Sequence, residues 1–471
     1  MTAQPPVAWI LLDRDAGHLE RQIHDAIRDR IVTGQLKAGE RLPSTRSLAA
    51  ALGVARSTVV GGYELLRAEG FIAGRQGSAM RVADLPAALH GASARPVEPL
   101  PKEQPEPERS LPFRPGLPDL DSFPNKVWSR CLSARARHLR IHDLGYGDEN
   151  GLAELRKAIA EHVVRARAVM AGPEQVVIMP STAAILGLLA KIIHTGAGRP
   201  VWLEEPGYST ARDTFRGIGA TLVSRPCDAE GMTIGYDEGS PPSMIHVTPS
   251  HQYPTGVAMS LPRRMELLKF AAANRSLIIE DDYDSEFHYA SRPLAALQGI
   301  DRSGCVIYIG TFSKVLAPGL RVAYAILPPS LLTSARSILR QERGSVPIHV
   351  QAALADFLNA GHLRSHIRRM HDIYQGRMQA VRTTLLDVAG EIFDVGSGSG
   401  GLQIAAWFRN RNVDDMDAAR RLQALKIGAR ALSPFHMKEP RPGLLFGIAS
   451  ATDDQVARLA KAMQIFSDGR H

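Results

Sequence analysis

The chain has 471 residues, 44% of them hydrophobic and 22% charged, with a formal net charge of +8. That length exceeds one ordinary core and predicts two or three domains, while the composition excludes a disordered or fibrous chain. The positive balance suits a polyanion partner and suits many basic enzymes equally. Cys131, Cys227 and Cys305 are widely spaced and form no CxxC pair, which argues against a disulfide framework or a zinc ribbon and fits a reducing cytoplasm. The opening stretch MTAQPPVAWILLDRDAG lacks a basic start and a long apolar run, so neither export nor membrane insertion is expected.

In chain order, Leu19, Ile23, Ile27 and Ile31 recur every fourth residue ahead of Gly34, which predicts an amphipathic helix with a glycine stop. Ser44 precedes TRSLAAALG and caps a short helix that turns Leu48 and Leu52 inward and ends at Gly53. A third helix, STVVGGYELLRAEG, has Val59, Tyr63 and Leu66 on one face. Its N-terminus carries Arg56, Ser57 and Thr58, where a recognition helix meets base edges and phosphates. Gly61 and Gly62 each cost this helix about 0.5 to 1 kcal/mol relative to alanine, which predicts a weak helix until DNA is bound. FIAGRQGSAMRV then reads as a hairpin with Arg75, Gln76 and Gly77 at its tip, a wing. A three-helix accessory domain is the plainer alternative. From Asp84 to Ser110 the composition is that of a linker, dividing the chain into 1–83, a linker 84–110, and 111–471.

Beyond the linker, apolar runs such as VVIM, PVWLEEP, SMIHVTP, SLIIEDDY and CVIYIGTFSK alternate with helical patterns such as TAAILGLLAKII and RRMELLKFAAAN. The alternation predicts an α/β layered fold with a mostly parallel sheet, whose ligands sit at the carboxyl ends of the strands. Tyr208, His251 to Gly256, Asp281 to Asp284 and Thr311 to Lys314 gather at such ends. A lysine after a buried strand can be kept neutral enough to attack an aldehyde, and Lys314 is so placed. An acid ending a second strand can hold a pyridinium nitrogen, and Asp281 is so placed. The mundane readings are a surface lysine and a solvated acidic turn or helix cap. GSGSGG, from Gly396 to Gly401, lacks the basic residue of a phosphate loop and leads into LQIAAWF, so a turn is expected. His362, His366 and His371 share a helical spacing without a glutamate base or third ligand; they read as surface or interface histidines, with no metal expected.

The run GQLKAGERLPSTRSLAAALGVARSTVVGGYELLRAEGFIAGRQGS resembles the winged helix-turn-helix of the GntR family, which implies DNA contacts from Arg46, Arg56 and Arg75, with Ser57, Thr58 and Gly77 secondary. The runs FRPGLPDLDSFP, LGYGDENGLAELRKAI, WLEEPGYS, TPSHQYPTG, IIEDDYDSEF and GTFSKVLAPGLR look like the class I aminotransferase domain of fold type I. SHQYPTG and EDDYDSEF in particular resemble the MocR subfamily, in which such a domain follows a GntR winged helix. The resemblance implies pyridoxal 5′-phosphate held as an internal aldimine on Lys314, with Asp281 at the pyridine nitrogen and Tyr283 at the phenolic oxygen. Tyr208 would stack on the ring, Thr311 and Arg321 would hold the phosphate, and Tyr146 would reach the phosphate of the neighbouring subunit. A homodimer follows, with the winged helix of one subunit packed on the large domain of the other. Two departures stand out. The phosphate loop reads PSTAAILG without the usual glycine, although Ser181, Thr182 and Ala183 still offer amides at a helix start. The strand RPGLLFGIAS leaves Arg441 displaced from the place of a substrate-carboxylate arginine. The implied function is a transcription regulator that binds an operator in double-stranded DNA and senses an amine or amino-acid effector by aldimine exchange at Lys314. An active aminotransferase carrying a DNA-binding domain is the rival, and a domain that has lost its cofactor is the third reading.

Overall fold

The structure is a computed structural model that describes residues 9–14, 16–74, 79–85, 111–138, 141–193, 198–235, 239–289, 295–342, 344 and 346–468. It separates into two compact units, residues 1–105 and 106–471. Arg75 and Gly77 lie outside the described residues, as does the expected linker beyond residue 85.

The first unit contains α1 (Leu19–Val32), α2 (Thr45–Leu52) and α3 (Arg56–Ala68), then the antiparallel pair β1 (Ile72–Ala73) and β2 (Arg81–Val82). The four-residue spacing of α1 carries Ile23, Ile27 and Ile31 into a core with Leu48, Val59, Tyr63 and Leu66. The Ser44 hydroxyl accepts the Ser47 amide at 3.1 Å, and Gly53 closes α2 at φ 63°. Buried His24 ties α1 to the end of α3, with Nδ1 2.9 Å from Asp25 Oδ1 and Nε2 2.9 Å from Glu69 Oε2. One glycine of the α3 pair, Gly62, has a packing role that helix propensity does not reveal. A Cβ on Gly62 would lie 2.8 Å from the Glu20 carbonyl oxygen and 3.3 Å from Ile23 Cγ2, so this glycine lets α1 and α3 approach. At Gly62 this close helix contact offsets part of the propensity cost.

Among the described residues the second unit holds two sheets. The larger is built from β3 (Val176–Met179), β4 (Val201–Glu205), β5 (Leu222–Asp228), β6 (Gly231–Met232), β7 (Met244–Val247), β8 (Leu277–Asp282), β9 (Val306–Thr311) and β10 (Ala323–Ile326). Among the described residues their order is β3-β10-β9-β8-β7-β4-β5-β6. The five central strands, β9 to β5, run parallel, whereas β10 is antiparallel to both β3 and β9 and β6 is antiparallel to β5. Both faces are covered, as a parallel sheet requires. Ile279 of β8 packs with Ile185 and Leu189 of the helix Thr182–Ile193, while its neighbour Ile278 packs with Leu267 and Ala271 of the helix Leu261–Asn274. The smaller sheet joins β11 (Phe393–Val395), β12 (Gln403–Phe408), β13 (Arg430–Ala431) and β14 (Gly443–Gly447) in the antiparallel order β11-β12-β14-β13. Among the described residues no helix is long and apolar enough to cross a membrane.

Candidate functional site

The carboxyl ends of β4, β7, β8 and β9 converge on a cavity of about 420 Å³, the place where parallel sheets bind ligands. Lys314 follows β9 through a turn in which the Ser313 amide donates to Thr311 Oγ1 at 3.1 Å. Its Nζ donates to the carbonyl oxygen of Gly116. Burial holds the lysine pKa below its ordinary value, against the opposing pull of Asp284 and Asp281. The neutral amine, the form that attacks a carbonyl, is therefore more accessible than on a surface lysine.

The acidic run that ends β8 is buried throughout, and each acid has a separate task. Glu280 accepts the amides of Leu297 and Gln298 at 2.7 and 2.9 Å, closing the start of a short helix. Asp282 meets Arg167 Nε at 2.9 Å and the Tyr308 hydroxyl at 2.6 Å. Asp284 lies 2.8 Å from His251 Nδ1 and accepts the Leu402 amide at 3.2 Å. Asp281 alone of these lies beside Lys314 with an oxygen to spare: Oδ1 is buried without a partner among the described residues. Strand alternation turns Asp281 to the opposite face from Glu280 and Asp282, because neighbours in a strand face opposite ways.

Aromatic side chains build one wall. Tyr208 meets Tyr253 edge to face at 5.6 Å between ring centroids, and Tyr253 meets Tyr283 in the same way at 5.8 Å. Burial raises the pKa of Tyr208 and Tyr283, so both stay protonated and available as donors. Another wall is the start of the helix Thr182–Ile193. Ser181 Oγ accepts the Ala184 amide at 3.1 Å, while the amides of Thr182 and Ala183 have no acceptor within the helix and form the positive end of its dipole. Thr311 and Arg321 line the same cavity, and Arg321 adopts φ 53°, a left-handed conformation uncommon outside glycine.

Eight of the nine residues expected around Lys314 or at it thus meet in one cavity: Lys314, Asp281, Tyr283, Tyr208, Thr311, Arg321, Ser181 and Thr182. Tyr146 is 83% exposed and outside the lining. Arg441 is also elsewhere, donating to Asp394 at 3.2 Å and lying 5.0 Å above the Trp407 ring. In the first unit Arg46, Arg56 and Ser57 are exposed and Thr58 is half-buried. His366, read as a surface or interface residue, is instead buried, with Nδ1 3.3 Å from Arg369. Tyr253 and Asp284 fall within the runs expected at strand ends, whereas Thr210, Thr248 and Gln403 of the cavity had not been singled out. Thr248 begins TPSHQYPTG and Thr210 follows WLEEPGYS, so neighbouring motifs already marked them; Gln403 belongs to no motif. A comparable cavity of about 460 Å³, lined by His162, Leu363 and Arg364 among others, includes neither the lysine nor Asp281.

Residues 130–463 match the aminotransferase class I and II family, and residues 19–82 match the gntR family of bacterial regulatory proteins. The chain is 35% identical over 456 residues to the probable rhizopine catabolism regulatory protein MocR of Rhizobium meliloti, covering 93% of this chain and 92% of that one. It belongs to the MocR subfamily of GntR-type transcription regulators. A second such relative, the pyridoxine biosynthesis regulator PdxR of Corynebacterium glutamicum, is 32% identical over 82% of this chain and 83% of its own. Among solved structures, LysN, the α-aminoadipate aminotransferase of Thermus thermophilus complexed with N-(5′-phosphopyridoxyl)-L-leucine, matches with TM-score 0.68 and 26% identity. That likeness covers 76% of this chain and 93% of LysN. The Pyrococcus horikoshii kynurenine aminotransferase, 21% identical with TM-score 0.69, shares the fold; the match covers 77% of this chain and 92% of that one. A MocR-type chain thus joins a DNA-binding module to an aminotransferase-like domain. The cavity fits the cofactor class of that fold on its own terms: an unpaired carboxylate oxygen for a ring nitrogen, a shielded amine for an aldehyde, and helix-start amides for a phosphate.

Proposed function

We propose that this MocR-type regulator holds pyridoxal 5′-phosphate at Lys314 and changes its hold on operator DNA when an amine or amino acid enters that site. The supporting observation is that the sheltered Lys314 amine and the unpaired Asp281 Oδ1 share one cavity. When bound, the cofactor supplies an aldehyde carbon at which one primary amine can take the place of another without net redox change. Asp281 would hold the pyridine nitrogen, the Tyr283 hydroxyl would donate to the phenolic oxygen, and Tyr208 would cover the ring. Thr311, Arg321, Ser181 and Thr182 would hold the phosphate, the arginine by its fork of donors. Tyr146, exposed on its own subunit, would complete the phosphate site of a partner in a homodimer. In the 1–83 domain, ahead of an 84–110 linker and the 111–471 domain, Arg46, Arg56 and Arg75 would contact DNA, assisted by Ser57, Thr58 and Gly77.

Sensing requires that the effector bind two arrangements of the protein unequally. Turnover as an aminotransferase would instead require firm placement of two successive substrates, and the engagement of Arg441 with Asp394 and Trp407 removes the arginine nearest to that task in sequence. Purified protein is expected to carry the visible absorbance of a lysine-bound cofactor, lost in Lys314→Ala. Gel-shift titration is expected to give different DNA affinities with and without the cofactor and a bound amine. Identical affinities under all these conditions would overturn the sensing reading, and steady conversion of amino donor and keto acid at ordinary enzymatic rates would favour the enzyme.

A further inference from the structure

We infer that Gln403 reads the non-reacting end of the effector, and that this effector is a neutral, hydroxylated primary amine, an amino alcohol or amino polyol, rather than an α-amino acid. The inference rests on the proposed sensing role of the Lys314 cavity and specifies its ligand.

Gln403 is the first residue of β12, is 7% exposed and lines the cavity. Its Nε2 is buried with no hydrogen-bond partner among the described residues. Leaving an amide donor dry and unpaired is costly, and such a group inside a binding cavity is the mark of a missing acceptor. The glycine run before the strand puts it there. Gly401, at φ 79°, donates its amide to the Phe287 carbonyl at 2.7 Å, and a Cβ on it would lie 2.8 Å from Asp284 Oδ2. The start of β12 is therefore held flush against the turn that carries Asp284, and only glycine permits that approach.

The charges of the lining then select the class of ligand. Among the described residues that line the cavity, the cations are Lys314 and Arg321 and the anions are Asp281 and Asp284. The proposed function commits both cations, and Asp281, to the cofactor. A carboxylate arriving beside Asp284 would meet a like charge with no lining cation left to offset it, which is strongly unfavourable in a partly buried site. Arg441 is held at Trp407, four residues along β12 and roughly 13 Å from Gln403 at the usual rise of a strand. Arg430 on β13 is exposed and outside the lining, and its charge reaches the cavity only at the Tyr253 hydroxyl. A hydroxyl satisfies both neighbours at once, because its oxygen accepts from the Gln403 amide and its hydrogen is donated to a carboxylate oxygen of Asp284, which has lone pairs beyond those already used.

The test compares 2-amino-1,3-propanediol with L-serine, which differ by a hydroxymethyl group in place of the carboxylate, with methylamine as the reference amine. Each is titrated into the full chain loaded with pyridoxal 5′-phosphate, followed by visible absorbance and by calorimetry. The aminodiol is expected to half-saturate at about tenfold lower concentration than L-serine, the discrimination typical of one polar contact. Gln403→Leu is expected to reduce that ratio while the charge of Asp284 keeps part of it, and Arg430→Gln to leave it unchanged. Equal or tighter binding of L-serine by the wild-type chain overturns the inference whatever the variants do. An unchanged ratio in a folded Gln403→Leu chain overturns the assignment of that residue. Silence towards all three amines removes the sensing reading itself, and this inference with it.

Discussion

His246 Nε2 lies 3.5 Å from Asp281 Oδ2 across the neighbouring strands β7 and β8, while the other oxygen of that carboxylate is buried with no partner among the described residues. His246 Nε2 makes no hydrogen bond to it, so the carboxylate keeps an oxygen open, as a partner for a ring nitrogen must. Asp281→Asn retains the shape and removes the charge. A charge-assisted hydrogen bond is worth about 1.5 to 3 kcal/mol, or roughly 10- to 150-fold in affinity. We expect cofactor retention in dialysis, read by visible absorbance, to weaken by that factor. Wild-type retention in Asp281→Asn would exclude the carboxylate from the cofactor site.

Lys314 gives a prediction about the protein without cofactor. Its folded pKa lies below the ordinary 10.5 because burial penalises the ammonium. Between the lowered value and 10.5 the unfolded chain binds a proton that the folded chain has released, so stability increases with pH across that window. Below the window both states are charged and the desolvation penalty is fully present. Lys314→Met should therefore raise the melting temperature of the cofactor-free protein near neutral pH, and the gain should shrink as pH approaches 10.5. Melting curves of the two chains at a series of pH values would show it. A lower melting temperature for Lys314→Met near neutrality would mean that the ammonium is well solvated.

How far the sequence shows these features depends on how local their causes are. Gly53 and Ser44 end and begin α2 through contacts within four residues, so both caps are legible in one dimension. The parallel centre of the sheet follows from strands alternating with helices. The antiparallel insertion of β10 between β3 and β9 does not, because its pairing with β3 joins segments far apart in the chain and no motif records it. Lys314 and Asp281 were legible because a strand-end position and a chemical type coincide. Gln403 was hidden, since a single glutamine after a glycine turn has no signature until the empty space beside its amide is seen. His366 misled for a related reason: its spacing describes a face of the helix His362–Ala389, but only packing decides that this face is buried.

The adjacent glycines of α3 should respond in opposite ways. A Cβ on Gly61 would meet the carboxylate end of Glu20, which can rotate away, whereas a Cβ on Gly62 would meet the Glu20 backbone oxygen, which cannot. Gly61→Ala should stabilise the first unit by up to about 1 kcal/mol through helix propensity. Gly62→Ala should destabilise it by about 1 to 3 kcal/mol through overpacking against α1. Thermal or urea melts of the full chain, monitored at this unit, separate the two. Stabilisation by both substitutions would mean that the interface of α1 and α3 yields without cost.

Arg56 is the first residue of α3, exposed, with Nε 3.3 Å from Thr45 Oγ1 at the start of α2. That bond ties the arginine to the second helix of the pair while leaving the rest of its guanidinium for DNA. If the group meets a phosphate, Arg56→Ala should weaken binding to operator and unrelated DNA alike and reduce the slope of log K against log salt by about 0.9. If it meets a guanine edge, the loss should fall on the operator alone, at about 1 to 3 kcal/mol, with little change in slope on unrelated DNA. Arg46, exposed on α2, is expected to follow the phosphate pattern. Fluorescence anisotropy at several salt concentrations distinguishes these outcomes. Wild-type affinity and slope in both Arg46→Ala and Arg56→Ala would exclude the α2–α3 surface as the DNA contact.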